Sequence, residues 1–157
     1  MELKRVVVTG LGTINALGHN LSDTWSYMVK GVSGASLIDT FDTTRFKTKF
    51  ACTVKDYDPA EYFDRKEARK LDKFAQYAMI AADEAVADAG IDPEQINKDR
   101  AGVIWGSGIG GIETFTEQIR KYIQGGEEPK FNPFFIPKMI ADIASGHISI
   151  KYDFRGP

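Results

Sequence analysis

The fold class is decided by residues 101–123, which read AGVIWGSGIGGIETFTEQIRKYI. Residues 101–105 form a short apolar run that predicts a β-strand, and a glycine cluster at 106–111 follows directly. A strand that enters a helix through glycines is typical of the joint in an α/β unit. After the cluster, apolar residues at spacings of three and four predict a helix with one buried face: Ile112, Phe115, Ile119, Tyr122 and Ile123.

The beginning of the chain repeats this pattern. Residues 5–9 (Arg-Val-Val-Val-Thr) predict a second strand, which Gly10-Leu11-Gly12 interrupts. We interpret both runs as strands of one sheet, each turning at its carboxyl end. In α/β proteins this end of the sheet is where binding sites lie.

The composition is that of one ordinary globular domain, with 157 residues of which 43% are hydrophobic and 27% charged. A net charge of −2 argues against nucleic-acid binding through bulk electrostatics. Cys52 is the single cysteine, which excludes an internal disulfide and fits a reducing compartment. No apolar run approaches the roughly 18 residues of a membrane span. We therefore expect a soluble, cytoplasmic protein that binds neither membranes nor nucleic acid.

Periodicity and capping residues predict three further helices. Residues 33–58 predict loops with a small hairpin, and residues 127–137 an irregular but apolar segment. The first helix is expected to start at Ser22 or Asp23 and end near Gly31; the second to start near Asp64 and end at Ala89, before Gly90; the last to run from about Pro137 to Tyr152.

The glycine cluster contains the pattern G-x-G-x-x-G at Gly106, Gly108 and Gly111. This pattern between a strand and a helix is the context of a dinucleotide-binding turn, which also needs an acidic residue about 20 positions later at the end of a second strand. At that distance Glu127 and Glu128 lie in a proline-rich segment with no strand before it. The sequence therefore favours a turn that serves close packing, with dinucleotide binding as the alternative.

Catalytic and metal-binding patterns are weak. Cys52 lies in a mixed polar stretch rather than at a predicted helix N-terminus, so we expect a buried or half-buried, inert thiol. His19 and His147 are far apart in the sequence and show no metal-ligand spacing. The sequence predicts neither a metal site nor a cofactor.

A basic cluster occupies residues 65–70, Arg-Lys-Glu-Ala-Arg-Lys. Such a cluster is commonly just the solvated face of a helix. Here its four cations fall in the first turns of the predicted helix, where the helix dipole prefers anions. This placement suggests positive charge presented to an acidic partner.

Several short segments, taken in order, closely resemble the N-terminal part of the β-ketoacyl-acyl carrier protein synthase II family, the elongating condensing enzymes of bacterial fatty-acid synthesis. The resemblance covers essentially the whole chain, and its combination of motifs is specific although each motif alone is weak. The matching segments are residues 6–12, 41–43, 65–70, 106–111, 133–135 and 155–157.

The resemblance implies an α/β, thiolase-like fold, of which residues 1–157 would be the N-terminal part of the first α/β half. It implies a homodimer and acyl- and malonyl-loaded acyl carrier protein as partner. The implied reaction is a decarboxylating Claisen condensation in which a cysteine takes the acyl group as a thioester.

The catalytic residues that the resemblance implies would lie beyond Pro157. In the family the nucleophilic cysteine follows the Arg-Gly-Pro motif, which here is residues 155–157, and two histidines and a lysine come later still. The resemblance thus assigns no catalytic role to any of these 157 residues, and we expect this chain alone to be inactive.

The residues that the resemblance does carry over belong to binding surfaces. Lys66, Arg69 and Lys70 match a basic patch that docks the carrier protein. Ile109 matches a residue that gates the acyl pocket. Phe135, with Phe134 nearby, matches an apolar segment near the dimer interface that helps line the partner's pocket. Two alternatives remain open: a polyketide ketosynthase or chain-length-factor subunit, and a non-catalytic carrier-binding module.

Overall fold

The computed structural model describes residues 4–157. Within them there are six α-helices, and one two-stranded antiparallel sheet lies in the segment between the first two helices. The elements in chain order are α1 (Leu21–Val29), β1 (Ser36–Leu37), β2 (Phe50–Ala51), α2 (Arg65–Lys70), α3 (Lys73–Asp88), α4 (Ile112–Gln124), α5 (Phe135–Met139) and α6 (Ile143–Tyr152).

The two strands expected at residues 5–9 and 101–105 are not formed, so this part of the sequence prediction is wrong. A strand exists through ladder hydrogen bonds to a neighbour, and among the described residues neither run has a paired strand. The side chain of Ile104 is accordingly 97% exposed. The hairpin expected between residues 33 and 58 is present, with Ser36 opposite Ala51.

The long helix expected from Asp64 to Ala89 is two helices, α2 and α3. Leu71 interrupts them with an extended backbone (φ −108°, ψ 135°), and each helix starts at its own aspartate cap. Asp64 accepts hydrogen bonds from two N–H groups of α2, at 2.7 and 2.8 Å. The predicted end is confirmed, since Gly90 follows α3 with φ +61°.

The last predicted helix is also interrupted. Ile140 adopts an extended backbone (ψ 137°) between α5 and α6, and Pro137 lies in the first turn of α5, where a missing N–H costs nothing. The N-terminal helix α1 is capped by Asn20 rather than by Ser22 or Asp23. Its end is as expected, because Gly31 has φ +68°.

The core lies where α3 packs on α6. Ala78 of α3 and Ala144 of α6 have no exposed surface, and such small side chains let the two helices approach closely. The N-terminal segment crosses the same helix, since a Cβ on Gly12 would lie 2.0 Å from the Ala81 carbonyl oxygen. The core therefore consists of α3 with α6 on one side and the glycine-containing segment on another.

Candidate functional site

The basic cluster lies on α2 with its cations in solvent. Lys66, Arg69 and Lys70 are exposed, and their spacing of three and four residues places them on one face of the helix. Among residues 4–157, no carboxylate lies within 4.0 Å of these three cations. This face of α2 is therefore a patch of uncompensated positive charge.

Only part of the basic cluster opposes the helix dipole. Because α2 ends at Lys70, Arg69 and Lys70 lie in its last turn, where the helix dipole favours cations. Arg65 and Lys66 remain in the first turn, where the dipole opposes them. The sequence reasoning assumed one long helix and so misplaced the C-terminal half of the cluster.

The glycine cluster forms a tight turn packed against the C-terminal end of α5. The Gly111 N–H donates to the Met139 carbonyl oxygen at 2.9 Å, and the Gly110 N–H donates to the Ser107 Oγ at 3.0 Å. Gly110 has φ +80°, and a Cβ there would lie 2.4 Å from the Met139 oxygen. Close packing thus requires Gly110 and Gly111, whereas a Cβ on Gly106 or Gly108 would meet open space.

A buried carboxylate connects this turn to the α2–α3 junction. Asp72 is 6% exposed, and its Oδ2 accepts hydrogen bonds from the Thr114 N–H at 3.0 Å and the Thr114 hydroxyl at 2.5 Å. The bond to the N–H satisfies a donor in the first turn of α4, which has no side-chain N-cap. Sequence reasoning missed this contact because the two residues are 42 positions apart.

Ile109 lines an apolar groove of about 380 Å³ beside the glycine turn. Phe115 lines the groove, and its ring packs 6.2 Å from that of Phe135. Phe134 is exposed at the start of α5 and does not line the groove as described by residues 4–157. The other lining residues are Ile112, Met139, Ile140 and Ala141.

The apolar face of α4 is not buried as the sequence predicted. Ile112, Phe115 and Ile123 are exposed, whereas the polar Thr114 and Gln118 are buried. Hydrogen bonding explains this orientation, since Thr114 binds Asp72 and the Gln118 Oε1 accepts from the Asn132 N–H at 2.9 Å. The chain leading to α5 therefore covers the polar side of α4 and leaves its apolar side in solvent.

Comparison with known proteins places this arrangement in a family. The family model described as "Beta-ketoacyl synthase, N-terminal domain" matches residues 3–157. The chain belongs to the β-ketoacyl synthases. A relative from Coxiella burnetii, named 3-oxoacyl-[acyl-carrier-protein] synthase 2, is 44% identical over 100% of this chain and 38% of its own length. This synthase chain thus spans about 38% of the length of that relative.

Solved ketosynthase structures share the fold. The ishigamide ketosynthase/chain length factor aligns with a TM-score of 0.82 at 26% identity, covering 96% of this chain and 37% of that one. AntDE:AntF, a type II PKS acyl-carrier protein in complex with its ketosynthase, aligns with a TM-score of 0.75 at 21% identity, covering 99% and 41%. The thiolase-like fold class expected from the resemblance is confirmed, for an N-terminal portion of a ketosynthase.

In this β-ketoacyl synthase chain, Cys52 is exposed, which contradicts the expected buried or half-buried thiol. It follows β2 and lies in an open groove of about 790 Å³ that Lys73, Tyr77 and Glu113 also line. Neither histidine lines this groove. The described residues therefore form no Cys–His pair of the kind that activates a nucleophilic thiol.

The Arg-Gly-Pro motif of the synthase chain packs against the start of the 101–105 run. The Gly156 N–H donates to the Ala101 carbonyl oxygen at 2.9 Å, and a Cβ on Gly102 would lie 2.0 Å from the Pro157 carbonyl oxygen. Pro157 thus has a packing contact with Gly102. The catalytic cysteine, two histidines and lysine expected beyond Pro157 lie outside the described residues, so their placement stays a prediction.

The two histidines of the synthase chain lie in different environments. The ring nitrogens of His19 lie 3.1 Å from the Tyr62 hydroxyl and 2.7 Å from the Lys55 carbonyl oxygen. Burial lowers the pKa of His147 on α6, and the negative charge of Glu67 partly opposes that shift. Residues 4–157 contain no cluster of three metal-binding side chains, and no helix among them has the length and hydropathy needed to cross a membrane.

Proposed function

We propose that this chain is the carrier-docking and acyl-pocket portion of a 3-oxoacyl-acyl carrier protein synthase II that elongates fatty acids. The whole enzyme would condense an acyl thioester with malonyl-acyl carrier protein, with loss of carbon dioxide. The acyl group would first be transferred to a cysteine beyond Pro157 as a thioester, which divides the acyl transfer into two steps. The single cysteine of this chain fits the reducing cytoplasm, where we expect the enzyme to act.

The observation that carries this proposal is the uncompensated positive face of α2. Lys66, Arg69 and Lys70 are free to pair with carboxylates of an acidic carrier protein, and complementary charge steers such encounters. The name of the 44% identical relative supports an acyl carrier protein as the partner. Docking would thus use side chains that no described carboxylate neutralises.

The acyl chain would lie near the glycine turn. Ile109, which lines the apolar groove, would gate the proposed pocket, and Phe135 packs on the Phe115 ring that also lines the groove. Phe135, with the exposed Phe134 directly before it, would help line the pocket of a second copy. The exposed apolar side of α4 and α5 has the character of a homodimer interface, since such faces are rarely left in water.

A polyketide ketosynthase or chain-length factor is the second candidate. The 26% identical ishigamide structure favours it, because that protein shares the fold over 96% of this chain. The 44% identity to a fatty-acid synthase relative outweighs that similarity. A non-catalytic carrier-binding module would use the same docking face.

The docking proposal is tested by reversing two charges, with Lys66→Glu and Arg69→Glu in one variant. We expect the affinity for a purified bacterial acyl carrier protein, measured by fluorescence anisotropy, to fall by roughly tenfold or more, since like charges then face each other. The matched control is Arg45→Glu with Lys47→Glu, which makes the same change in net charge in the loop between β1 and β2.

The control should bind as the unmodified chain does. Equal loss in both variants would mean that only net charge matters and would refute a docking face on α2. Unchanged affinity of the Lys66/Arg69 variant would refute it as well.

A further inference from the structure

Helix α2, which carries the docking cations, is too short to be stable by itself. It has six residues, well below the roughly 12 to 15 at which isolated helices become even marginally stable in water. Its conformation must therefore come from contacts with the rest of the molecule. At the N-terminal end these are the Asp64 cap and the buried ring of Phe63, which lies in the same core cluster as the partly buried Ala68.

At the C-terminal end, the capping residue Leu71 is buried in the core cluster, and a buried amide supplies the polar contact. Gln76 of α3 is 5% exposed, and its Nε2 donates to the carbonyl oxygens of Ala68 at 3.1 Å and Leu71 at 3.3 Å. The Ala68 carbonyl oxygen also accepts a long bond of 3.4 Å from the Leu71 N–H, but Leu71 is extended, so the helix does not continue and the carbonyls at its end lack a full set of intrahelical partners. Gln76 therefore serves as a C-terminal cap for α2 from another helix.

A tyrosine fixes the orientation of that amide. The Tyr57 hydroxyl donates to the Gln76 Oε1 at 2.7 Å, so the amide nitrogen faces the α2 carbonyls. The Tyr57 ring is held between Tyr62, stacked at 5.8 Å, and Tyr77, edge-on at 4.9 Å. Burial raises the pKa of Tyr57, which keeps the hydroxyl protonated and able to donate.

We propose that Gln76 is a positioning residue for carrier docking, which acts by holding the end of α2 that bears Arg69 and Lys70. The proposal rests on the docking function assigned above to this face. Gln76 does not itself contact the carrier protein, because it is buried beneath α2. Its effect on binding must therefore pass through the exposed cations.

The test is Gln76→Met in the whole 157-residue chain, which keeps the side-chain length and removes both donors and the acceptor. We expect the affinity for a fluorescently labelled bacterial acyl carrier protein to fall roughly fivefold to tenfold, as for the loss of one or two hydrogen bonds that order the site. The matched control is Gln118→Met, which removes the other buried glutamine, on α4, and should leave the affinity unchanged.

A double-mutant cycle separates positioning from general loss of structure. If Gln76 acts through the cations, adding Gln76→Met to the Lys66→Glu/Arg69→Glu variant weakens binding no further. The effect of Gln76→Met should also shrink at about 1 M salt, where charge interactions are screened to about 3 Å. A purely structural role would give additive losses that do not depend on salt.

If circular dichroism shows that Gln76→Met does not fold, Tyr57→Phe tests the role of Gln76 instead. This variant keeps the ring and removes one hydrogen bond. A smaller loss of affinity with the same salt dependence would support the proposal. If charge reversal weakens binding but both Gln76→Met and Tyr57→Phe bind normally, the role of Gln76 is refuted while docking stands. If the unmodified chain does not bind, the docking function fails first, and the role of Gln76 fails with it.

Discussion

The α3–α6 contact and the α4–α5 face bury opposite kinds of residue. Between α3 and α6, small side chains such as Ala78 and Ala144 are completely enclosed. On α4, the large side chains of Ile112, Phe115 and Ile123 face solvent, while Thr114 and Gln118 are enclosed. The α3–α6 contact is a closed core, whereas the apolar side of α4 has the composition of a core but lies in solvent.

This difference shows what decides the orientation of a helix. In α3 the apolar stripe faces the core because α6 supplies a matching surface. In α4 the hydrogen bonds to Asp72 and from Asn132 fix the helix by its polar side. The apolar side is then left exposed to solvent.

The α3–α6 core should be less tolerant of substitution than the α4–α5 face, and Ala78→Leu should cause the largest loss of stability. Because Ala78 has no exposed surface, the added carbons must push α3 from α6, at a cost of about 1–3 kcal/mol or more for overpacking. Urea denaturation followed by circular dichroism would measure the loss. The control, Ala87→Leu, makes the same change at an exposed position of α3 and should stay within about 0.5 kcal/mol. Equal losses would contradict a closed core.

The α4–α5 face should tolerate substitution without loss of stability, but it should determine whether the chain self-associates. We predict that the isolated chain is oligomeric or poorly stable through its exposed apolar faces, and that Ile123→Glu reduces its self-association. Ile123 is 63% exposed, so the charge costs little in the monomer but would be buried in an interface. Sedimentation velocity would show the shift to smaller species.

Ile150→Glu is the control for that experiment, since Ile150 is also well exposed but lies on α6. It should leave the association state unchanged. A chain that sediments as a stable monomer with a sharp thermal transition would contradict the predicted interface altogether.

Local signals in the sequence located most of the helices. Capping and glycine rules found the start of α2 at Asp64 and the ends of α1 and α3 at Gly31 and Gly90. They did not find the break at Leu71, because the apolar period runs through it and the break depends on Asp72 binding Thr114, far along the chain. The expected strands at 5–9 and 101–105 failed because a strand needs a paired neighbour.

In the candidate site, the residues that could be found from the sequence are exposed charged side chains and glycines that the backbone geometry requires. The cations of α2 and the packing role of Gly111 are visible as local patterns. Gln76 was missed because a glutamine within an alanine-rich helix carries no signal until its partners at Tyr57 and Ala68 are known. Long-range polar contacts of this kind cannot be deduced from spacing.

The smallest effect that we predict is a pH dependence of the free energy of unfolding, which arises from His147 on α6 in the α3–α6 core. Burial lowers the pKa of His147 below its ordinary value of 6.5, so the unfolded chain binds more protons between the two values. The free energy of unfolding should therefore fall as the pH drops from about 7.5 towards the folded pKa. His147→Gln should remove this part of the pH dependence, as measured by urea midpoints at about pH 7.5 and 5.5. His19→Gln leaves His147 in place and should retain it. If His147→Gln loses as much stability at low pH as the unmodified chain, the titrating group is not on α6. The stability of the core would then not depend on the protonation of His147.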